Sequence, residues 1–142
     1  MSLPPKVLNF IWRSLRNILP TCESLFKKKC VASSICLRCL LAPETVKHCL
    51  IECHFAKQCW IQSNFGWHGL TGDFVEWFEE QRKRNLKMKL KEAVMILWSL
   101  WEARNNLCWN NKQSTPTTTL HRPKKALEEC QFGGRDVYCC CV

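Results

Sequence analysis

Cys36-Leu-Arg-Cys39 is followed by His48 and then by Cys53, a Cys-x2-Cys-x8-His-x4-Cys spacing inside 18 residues. Structural zinc takes four tetrahedral ligands drawn from thiolate and imidazole. A Cys-x2-Cys knuckle offers two sulfurs to one point, and a second pair must arrive from a nearby element. The stretch Glu44 to Ile51 predicts a short helix: Pro43 suits its first turn, and Val46 and Leu50 share a face. His48 lies on that helix and Cys53 just past it, so both can turn back to the knuckle. Three thiolates and one neutral imidazole around Zn2+ sum to a charge of about −1. Arg38 and Lys47 are close enough in sequence to offset it. Four protein ligands leave no position for water or substrate, so such a site stabilises a fold and does no chemistry. Cys49 and His54 adjoin the chosen ligands and are the substitutes for them.

Twelve cysteines in 142 residues could also describe a secreted disulfide scaffold. The sequence argues otherwise. The apolar start from Val7 to Leu19 is broken by Arg13, Arg16 and Asn17, unlike a signal peptide. No window approaches a membrane span. The reading is an intracellular chain with thiolates available to metal. A net charge of +9 favours nucleic acid or another anionic partner. Seven tryptophans and a 46 % hydrophobic composition supply a core, and five glycines with one tyrosine argue against a strand-and-turn protein.

Helical periodicity runs through most of the chain. After Pro4-Pro5, one face carries Val7, Phe10, Ile11 and Ile18, and an adjacent face carries Leu8, Trp12, Leu15 and Leu19. That wide stripe predicts a helix packed on two sides and ended by Pro20. Thr21 is an expected N-cap for a second helix from Cys22 to about Lys29. A third helix is expected over 54–64, with Phe55, Cys59 and Trp60 on its inner face. Thr71 is read as the cap of a helix starting at Asp73. A basic block comes next, with no acid among residues 81–91. Leu90, Val94, Leu97, Trp98 and Trp101, flanked by Ala93, Ile96 and Leu100, form the longest apolar helical face and read as core. Arg104, Asn105 and Asn106 read as a polar helix end. Residues 114–119 read as a linker, and the Cys-rich remainder as a disordered tail.

No glycine-rich phosphate loop is present, and the only aspartates, Asp73 and Asp136, are far apart. A two-metal carboxylate site cannot be assembled. The chain reads as a non-enzyme without a small-molecule substrate.

Several runs carry a family likeness: Leu3-Pro4-Pro5-Lys6-Val7, Asn9-Phe10-Ile11-Trp12-Arg13, Asn17-Ile18-Leu19-Pro20-Thr21, the Cys36/Cys39 knuckle, Glu44-Thr45-Val46 before His48, and Cys53, Phe55, Ala56 and Trp60. Together they resemble the zinc-binding domain of reverse transcriptases from plant non-LTR (LINE-like) retrotransposons. Leu97 to Asn106 is similar to the stretch that comes after this domain, ahead of a ribonuclease H-like domain. The resemblance implies that Cys36, Cys39, His48 and Cys53 are the zinc ligands. It places such a module downstream of a polymerase domain, which is then an expected partner, and suggests nuclear residence. Cys49, where the family has an apolar residue, and the tail after about residue 116 depart from the pattern.

The expected fold is mostly α, a small helical domain built around a Cys-Cys-His-Cys knuckle, then a long helix and a disordered tail. The expected organisation is a reverse-transcriptase zinc-binding domain over 3–65, a helical extension over 71–112, and linker and tail over 113–142. The expected function is a structural zinc module that assists RNA or DNA binding. Arg13, Arg16, Lys27, Lys28, Lys29, Arg82, Lys83, Arg84 and Lys87 are its candidate phosphate contacts. The alternatives are a protein-docking module and a decayed retroelement fragment without a selected function.

Overall fold

The computed structural model of the chain describes residues 3–67, 72–121 and 123. Its elements are α1 (Pro5–Leu15), α2 (Cys22–Lys27), a π-helical turn (His48–Glu52), α3 (His54–Gln62), α4 (Phe74–Arg84) and α5 (Lys87–Asn110). Among the described residues, β-structure amounts to an isolated bridge between Ile35 and Pro43. The mostly α class expected from the sequence is the observed one. The linker reading of 114–119 does not hold: residues 116–121 are helical, because Leu120 finds a buried place in the core.

The apolar face of α5 is the centre of the core. Val94, Leu97 and Trp101 are buried there together with Ala93, Ile96 and Leu100. α1 lays Phe10 against it, with ring centroids 5.4 Å from Trp98 and 6.3 Å from Trp101. A second aromatic group joins α3 to α4: Trp60 lies 5.6 Å from Trp77, nearly edge-on, and 5.5 Å from Phe65. The Trp60 indole donates to the Leu50 carbonyl at 2.9 Å, so this buried ring also pins the π turn.

Four more expectations change. α1 meets both α5 and α4, but only part of its second face is covered: Leu15 and Leu19 pack on the core and Leu8 and Trp12 do not. Val7, Phe10 and Ser14 are buried, whereas Leu8 is 51 % and Trp12 53 % exposed. α5 supplies its aromatic partners on the Phe10 side alone, and an apolar stripe cannot say how much of itself finds a partner. α1 also ends before Pro20. Asn17 takes a left-handed φ of 54°, and the Ile18 amide turns back to the Arg13 carbonyl. The helix expected from Glu44 starts later, at 46, and widens into the π turn. Pro43 is held in the bridge with Ile35, and the Thr45 hydroxyl accepts from the His48 amide at 2.9 Å. Finally, α4 is capped by Asp73, with Thr71 outside the described residues.

That cap is a full capping box. The Asp73 carboxylate accepts from the Glu76 amide at 2.9 Å, and the Glu76 carboxylate accepts from the Asp73 amide at 3.1 Å. Gly72 enters it at a φ of +84°, where a Cβ would collide with the Glu76 carboxylate. Gly72→Ala is therefore expected to cost about 1–2 kcal/mol, the penalty of a left-handed L-residue, plus the displaced box. Urea unfolding compared with Asp73→Ala, a loss of about 1 kcal/mol, checks it.

Candidate metal centre

The knuckle is a tight hairpin. The Cys36 amide donates to the Ala42 carbonyl at 2.8 Å, and the Glu44 amide to the Ser34 carbonyl at 2.8 Å. Between these ties the chain reverses at Leu40, which has a left-handed φ of 57°. Cys36 and Cys39 are thereby presented from one turn towards the π turn.

The π turn performs the matching task. In an α-helix, a residue five positions on is rotated by about 140° from the first. Here the Cys53 amide donates to the His48 carbonyl at 2.7 Å, a hydrogen bond that spans five residues. This brings Cys53 back over His48, so the two side chains face the knuckle together.

The result is one cluster. The donor atoms of Cys36, Cys39, His48 and Cys53 all lie within 4.8 Å of one another. Cys39 Sγ is 3.3 Å from His48 Nε2. Cys36, His48 and Cys53 are buried, and Cys39 is half-buried. Zn–S bonds of about 2.3 Å and Zn–N bonds of about 2.0–2.1 Å give tetrahedral edges of about 3.5–3.8 Å. The donor set and its spacing fit such an ion. Cys49, one of the substitutes, points elsewhere: its thiol donates to the Val46 carbonyl at 3.6 Å. His54, the other, is exposed at the start of α3.

Hydrogen bonds couple Cys36, His48 and Cys53. A hydrogen bond to Cys53 and burial push the Cys36 thiol up to about 12. The same hydrogen bond lowers Cys53. The hydrogen bond to Cys36 raises His48 against the effect of burial. Arg38 is the nearby positive charge. Its guanidinium sits 3.7 Å over the Phe55 ring and donates to the Ala103 carbonyl at 3.2 Å, and burial lowers its pKa. Lys47 instead pairs with Glu52 at 3.0 Å.

Residues 1–60 match the family model described as zinc-binding in reverse transcriptase. This segment is similar to that family. No curated protein and no solved structure matches the chain.

The matched segment is tied to α5 through a buried ion pair. Glu44, next to the knuckle, is 1 % exposed and meets Arg104 of α5, which is 5 % exposed. Arg104 Nη2 donates to Glu44 Oε1 at 2.7 Å and Nε to the same oxygen at 3.1 Å. Glu44 Oε1 also accepts from the Cys22 amide at 2.8 Å, so one carboxylate ties α2, the hairpin and α5 together. Burial works against the charge of Arg104, but the Glu44 hydrogen bonds outweigh it and raise its pKa. Sequence periodicity placed Arg104 on a polar helix end and missed this pair. The available signal was that both residues lie in runs that carry the family likeness.

The candidate phosphate contacts fall into separate groups. Arg16, Lys27, Lys28, Lys29, Arg82, Lys83, Arg84 and Lys87 are exposed, and Arg13 is half-buried. Glu23 pairs with Lys27 at 3.3 Å, Glu79 with Arg82 at 2.8 Å and Glu80 with Arg84 at 2.5 Å. Arg16 lies 5.5 Å over the Trp12 ring. Cys22, at the start of α2, touches Arg104 near the far end of α5, whereas the basic block straddles its beginning. About 25 Å of helix separates the two regions. Among the described residues, no helix is long and apolar enough to cross a membrane.

Proposed function

We propose that this chain is a non-catalytic, zinc-stabilised module of non-LTR retroelement origin that helps hold RNA or DNA. The observation that carries the reading is the donor cluster: four protein side chains close around one point. Zinc bound there would supply folding energy and no open coordination position for substrate. Cys36 and Cys39 would hold it from the hairpin, and His48 and Cys53 from the π turn. Nuclear residence and a plant source go with that ancestry.

The nucleic-acid part rests on the +9 charge and on exposed cations. Lys28, Lys29, Lys83 and Lys87 are the strongest phosphate contacts, because Lys27, Arg82 and Arg84 already face glutamates on their own helices. Phosphate contacts make log K fall linearly with log salt, with a slope near −0.7 to −0.9 per contact. Lys83→Gln with Lys87→Gln is expected to weaken binding to single-stranded RNA about equally for all sequences and to flatten that slope by about 1.4. Affinity unchanged between low and moderate salt would falsify the proposal.

A second reading, a docking module for the polymerase domain, is favoured by the exposed apolar residues. Leu40 is 69 % and Leu41 87 % exposed at the hairpin tip, and Leu8 and Trp12 of α1 are exposed too. That area is available to a protein partner.

A further inference from the structure

An open apolar groove of about 430 Å³ runs between α1, α4 and the first turns of α5. Its walls are Leu8 and Ile11 of α1, Phe78 of α4, and Met88 and Val94 of α5. Lys87 and Lys91 also line it, and no acid does. We propose that this groove seats the apolar face of an acidic amphipathic helix from a partner protein. The inference goes beyond the zinc and nucleic-acid reading and requires only the fold.

The groove's openness selects an elongated occupant. Leu8 is 51 % and Met88 54 % exposed on its rim. Small-molecule sites enclose about 70–90 % of their ligand. A helix laid along the groove would cover both rim residues and present side chains at i, i+3, i+4 and i+7 to the walls. Met88, unbranched and polarizable, can adjust to such side chains.

Charge selects an acidic one. Lys87 is exposed and makes no ion pair or hydrogen bond among the described residues. The nearby acids of α4, Glu79 and Glu80, are taken by Arg82 and Arg84. A second copy packed groove to groove would set Lys87 and Lys91 against the same lysines of its partner. A nucleic acid could meet Lys87 but would leave the apolar walls wet. A glutamate-flanked helix satisfies both the walls and the lysine.

The test uses the full zinc-loaded chain and a helical peptide with leucines at i, i+3, i+4 and i+7 and glutamates between them. Fluorescence anisotropy is expected to show saturable binding, weakened at least tenfold by Met88→Glu and by Lys87→Glu. A lysine version of the peptide is expected not to bind. Met88 and Lys87 are exposed, so zinc content and circular dichroism should match the wild type. An affinity weaker than about 1 mM for the glutamate peptide overturns the proposal. So does equal binding of the lysine peptide, or binding that Met88→Glu leaves unchanged. A concentration-dependent dimer abolished by Met88→Glu would assign the groove to a second copy instead. Loss of RNA affinity in the uncharged Met88→Gln would assign it to nucleic acid.

Discussion

Serine in place of Cys53 is expected to strip the metal from the chain and unfold it. Structural zinc contributes about 10–16 kcal/mol of apparent binding energy in small domains, while a whole domain is stable by only about 5–15 kcal/mol. Removing one of four ligands takes away enough of that energy to cross zero. Cys53 is a severe position because its sulfur belongs to the cluster; serine keeps the amide that closes the π turn, so the variant isolates the loss of the ligand. The measurement is zinc per chain by elemental analysis, with circular dichroism before and after chelation. Wild type should carry one zinc and lose helicity on chelation; Cys53→Ser should carry none and be unfolded from the start. Cys49→Ser is the control. Its hydroxyl can inherit the hydrogen bond to the Val46 carbonyl, so the variant should keep its zinc and lose about 1–3 kcal/mol for burying a more polar group. If Cys53→Ser kept both metal and helicity, the cluster would not be the zinc site.

Arg104→Met is expected to destabilise the zinc-loaded chain by about 3–5 kcal/mol, the cost of leaving a buried charge without its partner. Glu44 would remain almost fully buried, holding the Cys22 amide but facing apolar surroundings where the guanidinium stood. The double variant Glu44→Gln, Arg104→Met should recover much of that loss. The glutamine keeps an acceptor for Cys22 and carries no charge. Urea unfolding of the two single variants and the double variant forms the cycle. A single-variant loss below about 1 kcal/mol would show that the pair behaves like a surface ion pair. The cycle also tests the architecture, because Arg104 lies outside the matched segment, which ends at Trp60. A large coupling energy would mean that the zinc-binding segment and α5 unfold together.

The donor set was legible from the sequence because ligand chemistry is local. A knuckle needs two cysteines three positions apart, and a second pair close by completes the shell. The helices were legible too, since apolar periodicity and capping residues such as Thr21 act over a few positions. Boundaries were less so. Pro43 looked like a helix start and instead serves a bridge whose other half, Ile35, lies before the knuckle. Cys53 was read as lying past the end of an α-helix, yet a five-residue hydrogen bond is what places it.

By itself, then, the sequence determined which residues could bind one metal ion, where the longer helices would lie, and that the chain would be basic. Those properties depend on residue type and on neighbours a few positions away. Tertiary structure alone decided that Arg104 would be buried rather than a polar helix end, that Leu8 and Trp12 would face outward, and that the basic residues would separate along α5. Each of these depends on which surfaces meet across tens of residues. A hydrophobic or charged side chain carries no record of its distant partner, so Glu44 and Arg104, 60 positions apart, become a pair only when the helices pack.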